Sequence, residues 1–342
     1  MITGGEVQKN QRVLTGITTS GIPHLGNLIG AILPAIQASN SDKNKSFLFL
    51  ADYHSLIKNT DPALTHSSSF EIAACWLACG LNPKEVVFYR QSDVGHIFEL
   101  AWILGCMTSK GLLNRAHAYK AAISDNETAN LNDLDKGITM GLFNYPILMA
   151  ADILMFSADI VPVGQDQKQH IEMTRDIANR FNHNYGNLLN IPEAQISNET
   201  GILPGLDGRK MSKSYNNTIP IFSEEKQLRK SIMKIQTNSL EPGEPKNSSE
   251  CNIFKIYSAI ASPSSIKEFQ KLYDEGVGWG EAKTILFEEL NGFLKPFKGE
   301  YDKIIQDRGY VESVLIDGAS RAREVSTPLI EKIRKAVGIK GF

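Results

Sequence analysis

The chain of 342 residues is poor in cysteine, in long apolar runs and in net charge, and each shortage excludes a class of function. Its four cysteines, Cys75, Cys79, Cys106 and Cys251, do not make a disulfide framework, and a fold with a reduced, cytoplasmic setting fits them. Cys75 and Cys79 stand one helical turn apart on an apolar stripe with Trp76 and Leu77, so buried thiols are expected there rather than a metal pair. Only Cys251 lies in the second half, which excludes a multi-cysteine cluster in that region. No apolar run approaches the length that spans a bilayer. The first twelve residues are polar and lack the apolar core of a signal peptide. Lysine plus arginine total 36 against 38 for aspartate plus glutamate, a formal charge of −2. A nucleic-acid partner would therefore have to meet a local basic surface. Internal repeats and low-complexity tracts are also missing.

What is present has a clear texture. Strand-like apolar runs at 13–17, 47–51, 86–89 and 160–163 alternate with helical patterns near 62–79, 95–113, 139–156 and 166–182. Asp61 followed by Pro62 marks one helix start and Gly80 its stop. Such alternation predicts an α/β fold with a Rossmann-like, doubly wound parallel sheet, whose ligand crevice lies at the carboxyl ends of the strands. After Pro220 the pattern changes. A helix near 223–235 precedes a polar, turn-rich stretch at 237–250, and only helical patterns follow between 251 and 338. Two domains are expected: a catalytic one over 1–220, with an insertion near 95–160, and an all-helical one over 221–342.

Two short motifs carry the chemistry. After the strand comes a turn, Thr18-Thr19-Ser20-Gly21, then a helix from His24 to Ser39 with a kink expected at Pro34. A strand that turns into a helix N-terminus offers free N–H groups and a positive dipole end to a phosphate. In His24-Leu25-Gly26-Asn27, Gly26 lets a flat ring approach the backbone. His24 and Asn27, three apart, share a face and can reach phosphate oxygens. Far along the chain stands Lys210-Met211-Ser212-Lys213-Ser214. Lys210 and Lys213 suit the charge that builds on a leaving pyrophosphate, and Gly205 and Gly208 suit a loop over the nucleotide.

In this order the two motifs resemble the paired ATP-binding signatures of class I aminoacyl-tRNA synthetases. The stretches 112–120, 141–156, 163–178 and 319–325 are similar to tryptophanyl-tRNA synthetases, and the likeness covers nearly the whole chain. The resemblance implies that L-tryptophan and ATP form tryptophanyl-adenylate, after which the tryptophanyl group moves to tRNA(Trp). It implies that Asp152, in Met149-Ala150-Ala151-Asp152, accepts the indole N–H, with Met149 in the apolar wall. Tyr145 and Gln167 would hold the ammonium group, and His54 would line the same pocket. Thr18, Ser20, Gly26, Gly164, Asp166, Met211, Ser212 and Ser214 would surround ATP, with His24, Asn27, Lys210 and Lys213 as the catalytic set. Lys120 is a further candidate phosphate contact.

Mg²⁺ is expected to be held mainly by ATP phosphates and water, without a protein metal site. The resemblance further implies a homodimer with its contact in the insertion, and an anticodon-recognising helical domain. Arg321, Arg323, Lys332, Arg334 and Lys335 are the candidate phosphate contacts of that domain. Where many relatives have Gln-Pro-Ser-Gly this chain has Thr18-Thr19-Ser20-Gly21, so a contact from a Gln side chain does not carry over to Thr18. The same holds for a carboxylate in the loop Thr237-Asn238-Ser239. The alternatives are a tyrosyl-tRNA synthetase, a small nucleotidyltransferase, and a synthetase-like regulatory or RNA-binding paralogue.

Overall fold

Apolar side chains on both faces of the central strands require a sheet covered on both sides. The computed structural model describes residues 11–19, 21–39, 44–196 and 203–339. In β2 (Asn44–Ala51), Phe47, Phe49 and Ala51 alternate with Leu48 and Leu50, and none exceeds 7 % exposure. Leu48 and Leu50 join one core and Phe47, Phe49 and Ala51 the other. β1 (Gln11–Thr18), β3 (Val87–Arg90), β4 (Ile160–Val163) and β5 (Glu193–Ile196) complete a five-stranded sheet in the order β3-β2-β1-β4-β5. Every pairing is parallel. The order reverses between β1 and β4, which puts the ligand crevice at the carboxyl ends of those two strands. β5 had no strand signature, because Glu193-Ala194-Gln195-Ile196 is a short and largely exposed edge.

The helix after β1 comprises α1 (Leu25–Asn27), a π turn over Leu28–Ile32, and α2 (Leu33–Ser39). The kink expected at Pro34 takes this form. In the widened turn the Leu33 N–H bonds to the Leu28 carbonyl, directly before a ring that would clash with the carbonyl one turn back. Next are α3 (Asp52–Ser55) and α4 (Pro62–Ala78). Asp61 caps α4 by accepting from the Ala63 and Leu64 N–H groups at 2.9 and 3.3 Å, and Cys75 and Cys79 are buried thiols. The pattern read as one helix over 95–113 is two, α5 (His96–Met107) and α6 (Lys110–Leu113). α7 (His117–Thr128), α8 (Met140–Met155) and α9 (Lys168–Tyr185) follow.

The remainder is helical: α10 (Glu225–Met233), α11 (Asn252–Ser258), α12 (Pro263–Asp274), α13 (Trp279–Ile304) and α14 (Arg308–Val337). α14 returns to the sheet and lies on β3. At Gly318 a Cβ would stand 1.7 Å from the Phe88 carbonyl oxygen, so only glycine permits this approach. The return explains three of the five basic residues read as phosphate contacts. Arg321 donates to the Pro83 and Val86 carbonyls, Arg323 to the Asp93 carbonyl, and Arg334 pairs with both oxygens of Glu99. They fasten α14 to the segments around β3 and to α5. Lys332 and Lys335 stay exposed.

Candidate functional site

Between β1 and β4 opens a cavity of about 250 Å³. Its walls come from Gly16 and Thr18 of β1, Phe49 of β2, Val161 and Val163 of β4, and one face of α8. Tyr145, Met149 and Asp152 line it from α8, His54 from α3, and Gln167 and His170 from the turn and helix after β4. All five residues read as tryptophan contacts therefore meet in one cavity. The Tyr145 hydroxyl is 2.6 Å from His170 Nε2, and burial raises its pKa.

Asp152 is fully buried. His54 Nε2 lies 2.9 Å from its Oδ2, and Gln91 Nε2 donates to Oδ1 at 2.8 Å and to Oδ2 at 3.0 Å. Burial raises the Asp152 pKa and these hydrogen bonds oppose the rise, so they favour the charged form that water would otherwise have to solvate.

The second part of the crevice is built where the two short motifs touch. His24 and Asn27 form a reciprocal cap: His24 Nδ1 accepts from the Asn27 N–H at 3.3 Å, and Asn27 Oδ1 accepts from the His24 N–H at 3.1 Å. The spacing of His24 and Asn27 thus serves the start of the helix as well as its exposed face. The Gly26 N–H points at Met211 Sδ, 3.3 Å away, and a Cβ on Gly26 would stand 3.1 Å from the His24 ring. The Leu25 N–H donates to the Ile219 carbonyl at 2.9 Å, which pins the segment after the second motif to the start of the first. Lys213 reaches over the turn after β1: a Cβ built on Gly21 would be 3.3 Å from its Nζ. Burial, and then the Lys213 charge, lower the His24 pKa to about 4, so the imidazole is neutral at pH 7. Burial lowers the Lys213 pKa as well.

Asn217 organises the second loop. It is 2 % exposed, accepts from the Ser212 N–H at 2.8 Å, and donates to Asp207 Oδ1 and to the Lys210 carbonyl. Gly205 passes so close that a Cβ would fall 2.3 Å from the Asn217 side chain. Ser212 and Ser214 share a hydrogen bond of 2.8 Å, while Met211 is buried and Lys210 and Ser214 are exposed. Gly164 ends β4 at the same crevice.

The model of class I tRNA synthetases for tryptophan and tyrosine matches residues 6–295. The chain belongs to this family. It is 52 % identical to the tryptophan–tRNA ligase of Neisseria meningitidis, over 96 % of this chain and 98 % of that one. It is 53 % identical to the corresponding ligase of Xanthomonas axonopodis pv. citri, over 96 % of this chain and 76 % of the relative. Among solved structures, tryptophanyl-tRNA synthetase of Campylobacter jejuni complexed with ADP and tryptophan superposes with a TM-score of 0.87 at 41 % identity. That match covers 96 % of this chain and 100 % of the other.

The crevice thus has two parts, the cavity around Asp152 and the surface where the two short motifs meet. Of the residues expected around ATP, Thr18 lines the cavity around Asp152. Ser20 and the Asp166 side chain lie outside the described residues. Lys120 is exposed on α7. Gln91, Asn217 and His170 were not read from the sequence. Gln91 follows directly on the apolar run of β3, and a polar residue at the carboxyl end of a parallel strand was the available signal.

Proposed function

We infer that the chain is a tryptophan–tRNA ligase, which activates L-tryptophan with ATP and passes the tryptophanyl group to tRNA(Trp). The observation that carries this reading is a fully buried carboxylate, Asp152, at the wall of an otherwise largely apolar cavity of about 250 Å³. Such an acceptor suits an indole N–H. Phenylalanine would leave the acceptor position that faces the substrate without a donor, beyond those that His54 and Gln91 supply, and sites of that kind reject the analogue lacking the group by about 10⁴ to 10⁵. Met149 supplies apolar wall, and Tyr145 and Gln167 offer oxygens for the ammonium group.

The substrate carboxylate then attacks the α-phosphorus of ATP in line, and pyrophosphate leaves. No enzyme nucleophile is needed, so catalysis is positioning plus stabilisation of charge. His24, held neutral, and Asn27 offer polar contacts without repelling the cations beside them. Lys210 and Lys213 take up charge on the leaving group. Gly26, Met211, Ser212, Ser214, Gly164, Thr18, Ser20 and Asp166 complete the ATP side. Among the described residues no three His, Cys, Asp or Glu side chains are grouped to hold a metal. We assign Mg²⁺ to the phosphates of ATP, where it would neutralise charge.

The helical half from about residue 221 is assigned to the anticodon. The homodimer contact is assigned to α5 and α8, where Trp102 is 75 % exposed beside a groove of about 570 Å³ lined by Phe98, Phe143 and Leu148. A cytoplasmic location accords with the work of the family, and no helix among the described residues is long and apolar enough to cross a membrane. ATP–pyrophosphate exchange with tryptophan and tyrosine side by side tests the reading. Exchange with tryptophan alone supports it, and exchange with tyrosine would overturn it.

A further inference from the structure

Among the described residues Gln91 is the neutral side chain that contacts both oxygens of Asp152, and its own orientation is fixed from behind. The Tyr53 N–H, shared with Asp52 Oδ1 at 3.0 Å, points at Gln91 Oε1 at 3.2 Å. An N–H can face only the oxygen end of the amide, so the NH₂ end must face Asp152. There it donates at 2.8 and 3.0 Å, with Gln91 and Asp152 both fully buried. The turn that carries Gln91, over Gln91–Asp93, is itself held at each later position. Ser92 donates through both its N–H and its hydroxyl to Asp52, and the Asp93 carbonyl accepts from Arg323 of α14 at 2.8 Å.

We propose that Gln91 is a positioning residue for amino-acid selection: its clamped amide donates to both carboxylate oxygens of Asp152, so that Asp152 meets the substrate only as a hydrogen-bond acceptor. This deepens the reading of Asp152 as the indole N–H acceptor and rests on it. A carboxyl group that gained a proton would present an O–H to the indole N–H, donor against donor, and the preference for an N–H would vanish. Burial pushes Asp152 toward that protonated form, and the hydrogen bond and charge of His54, then the Gln91 donors, oppose it. The other titratable groups facing Asp152 are His54 and Asp52 from α3 and Tyr89 from β3, whose hydroxyl is fully buried. Only His54 among these also hydrogen-bonds to Asp152, and it touches one oxygen, whereas Gln91 reaches both.

The test compares wild type with Gln91→Met, which keeps the volume and removes the amide, and with Gln91→Glu, which keeps the shape. Exchange is measured with tryptophan and with its analogue carrying sulfur in place of the indole N–H, from pH 5.5 to 9. Thermal unfolding and the ATP KM report on integrity of the fold. In Gln91→Met the tryptophan KM should rise by about tenfold or more, with the ATP KM within about threefold, and the preference over the sulfur analogue should shrink by a similar factor. The tryptophan KM of the variant should worsen further as the pH falls, where the wild type stays flat. Gln91→Glu, which can share a proton with Asp152, should recover part of the preference only toward low pH. Equal loss of both substrates in Gln91→Met, with the preference and the pH profile unchanged, would overturn the proposal and leave the Asp152 reading intact. A wild type that does not prefer tryptophan to the sulfur analogue would overturn both.

Discussion

The two sides of the crevice are built on opposite principles. On the amino-acid side Asp152 and Gln91 are fully buried and bonded to one another, and α3, the turn after β3 and α8 each contribute to a single network. On the nucleotide side Lys210, Lys213 and Ser214 are exposed on a loop whose fixed points are the buried Met211 and Asn217. The contrast fits the role proposed for each side. Selecting one side chain from another of like size requires an acceptor that is desolvated and aimed beforehand. Stabilising charge on a departing polyphosphate requires long cations that take their final positions around it. The first side is therefore expected to exist before substrate arrives, and the second to be completed by ATP.

Changes to each side should separate the two. The largest effect is expected from Asp152→Ala. Tryptophan-dependent exchange should fall by about 10³-fold or more in kcat/KM, with the ATP KM little altered. Lys213→Ala should lower kcat by about 10²- to 10³-fold while the tryptophan KM stays within about threefold. If instead the tryptophan KM carried most of the loss, the two sides would not be separable. Met211→Ala removes the buried side chain that meets the Gly26 N–H. Urea unfolding should show a loss of about 2–4 kcal/mol, and the ATP KM should rise more than the tryptophan KM.

The His24 prediction concerns pH. Its folded-state pKa, lowered to about 4, lies below the unfolded value of 6.5. Between those values the unfolded chain binds the proton and the folded chain does not. Stability is thus fully present above pH 6.5 and is lost as the pH falls from 6.5 toward 4. Unfolding free energies of wild type and His24→Gln across that window should converge on acidification, because the variant lacks this loss. Parallel curves would contradict the assigned shift. The smallest effect is expected from Arg334→Ala, which breaks a half-exposed pair with Glu99 remote from both sides. It should lower stability by less than about 1 kcal/mol and leave exchange unchanged.

Which parts of this were legible beforehand follows from how far each depends on neighbours in space. The four strands with apolar runs, and the helix opened by Asp61 and Pro62, declared themselves because local pattern and tertiary burial agree there. β5 did not, since a polar edge strand is defined by its partner β4 and not by its own residues. The motif residues stood out as compact strings, and Asp152 as a carboxylate inside an apolar helix. Gln91 did not, because the role proposed for it exists only once it lies beside Asp152, 61 residues away in sequence. Asn217 was hidden in the same way behind the motif it holds. The arginines of α14 were read as phosphate contacts, and the return of α14 to the sheet instead turns Arg321 and Arg323 toward backbone carbonyls and Arg334 toward Glu99.

Tryptophan binding in the absence of ATP, followed by titration calorimetry, tests the central contrast most directly. Wild type and the double variant Lys210→Ala/Lys213→Ala should bind tryptophan with dissociation constants within about twofold, while Asp152→Ala should show no measurable binding at the same concentrations. Loss of tryptophan binding in the lysine variant, or its retention in Asp152→Ala, would contradict an amino-acid side that is complete by itself.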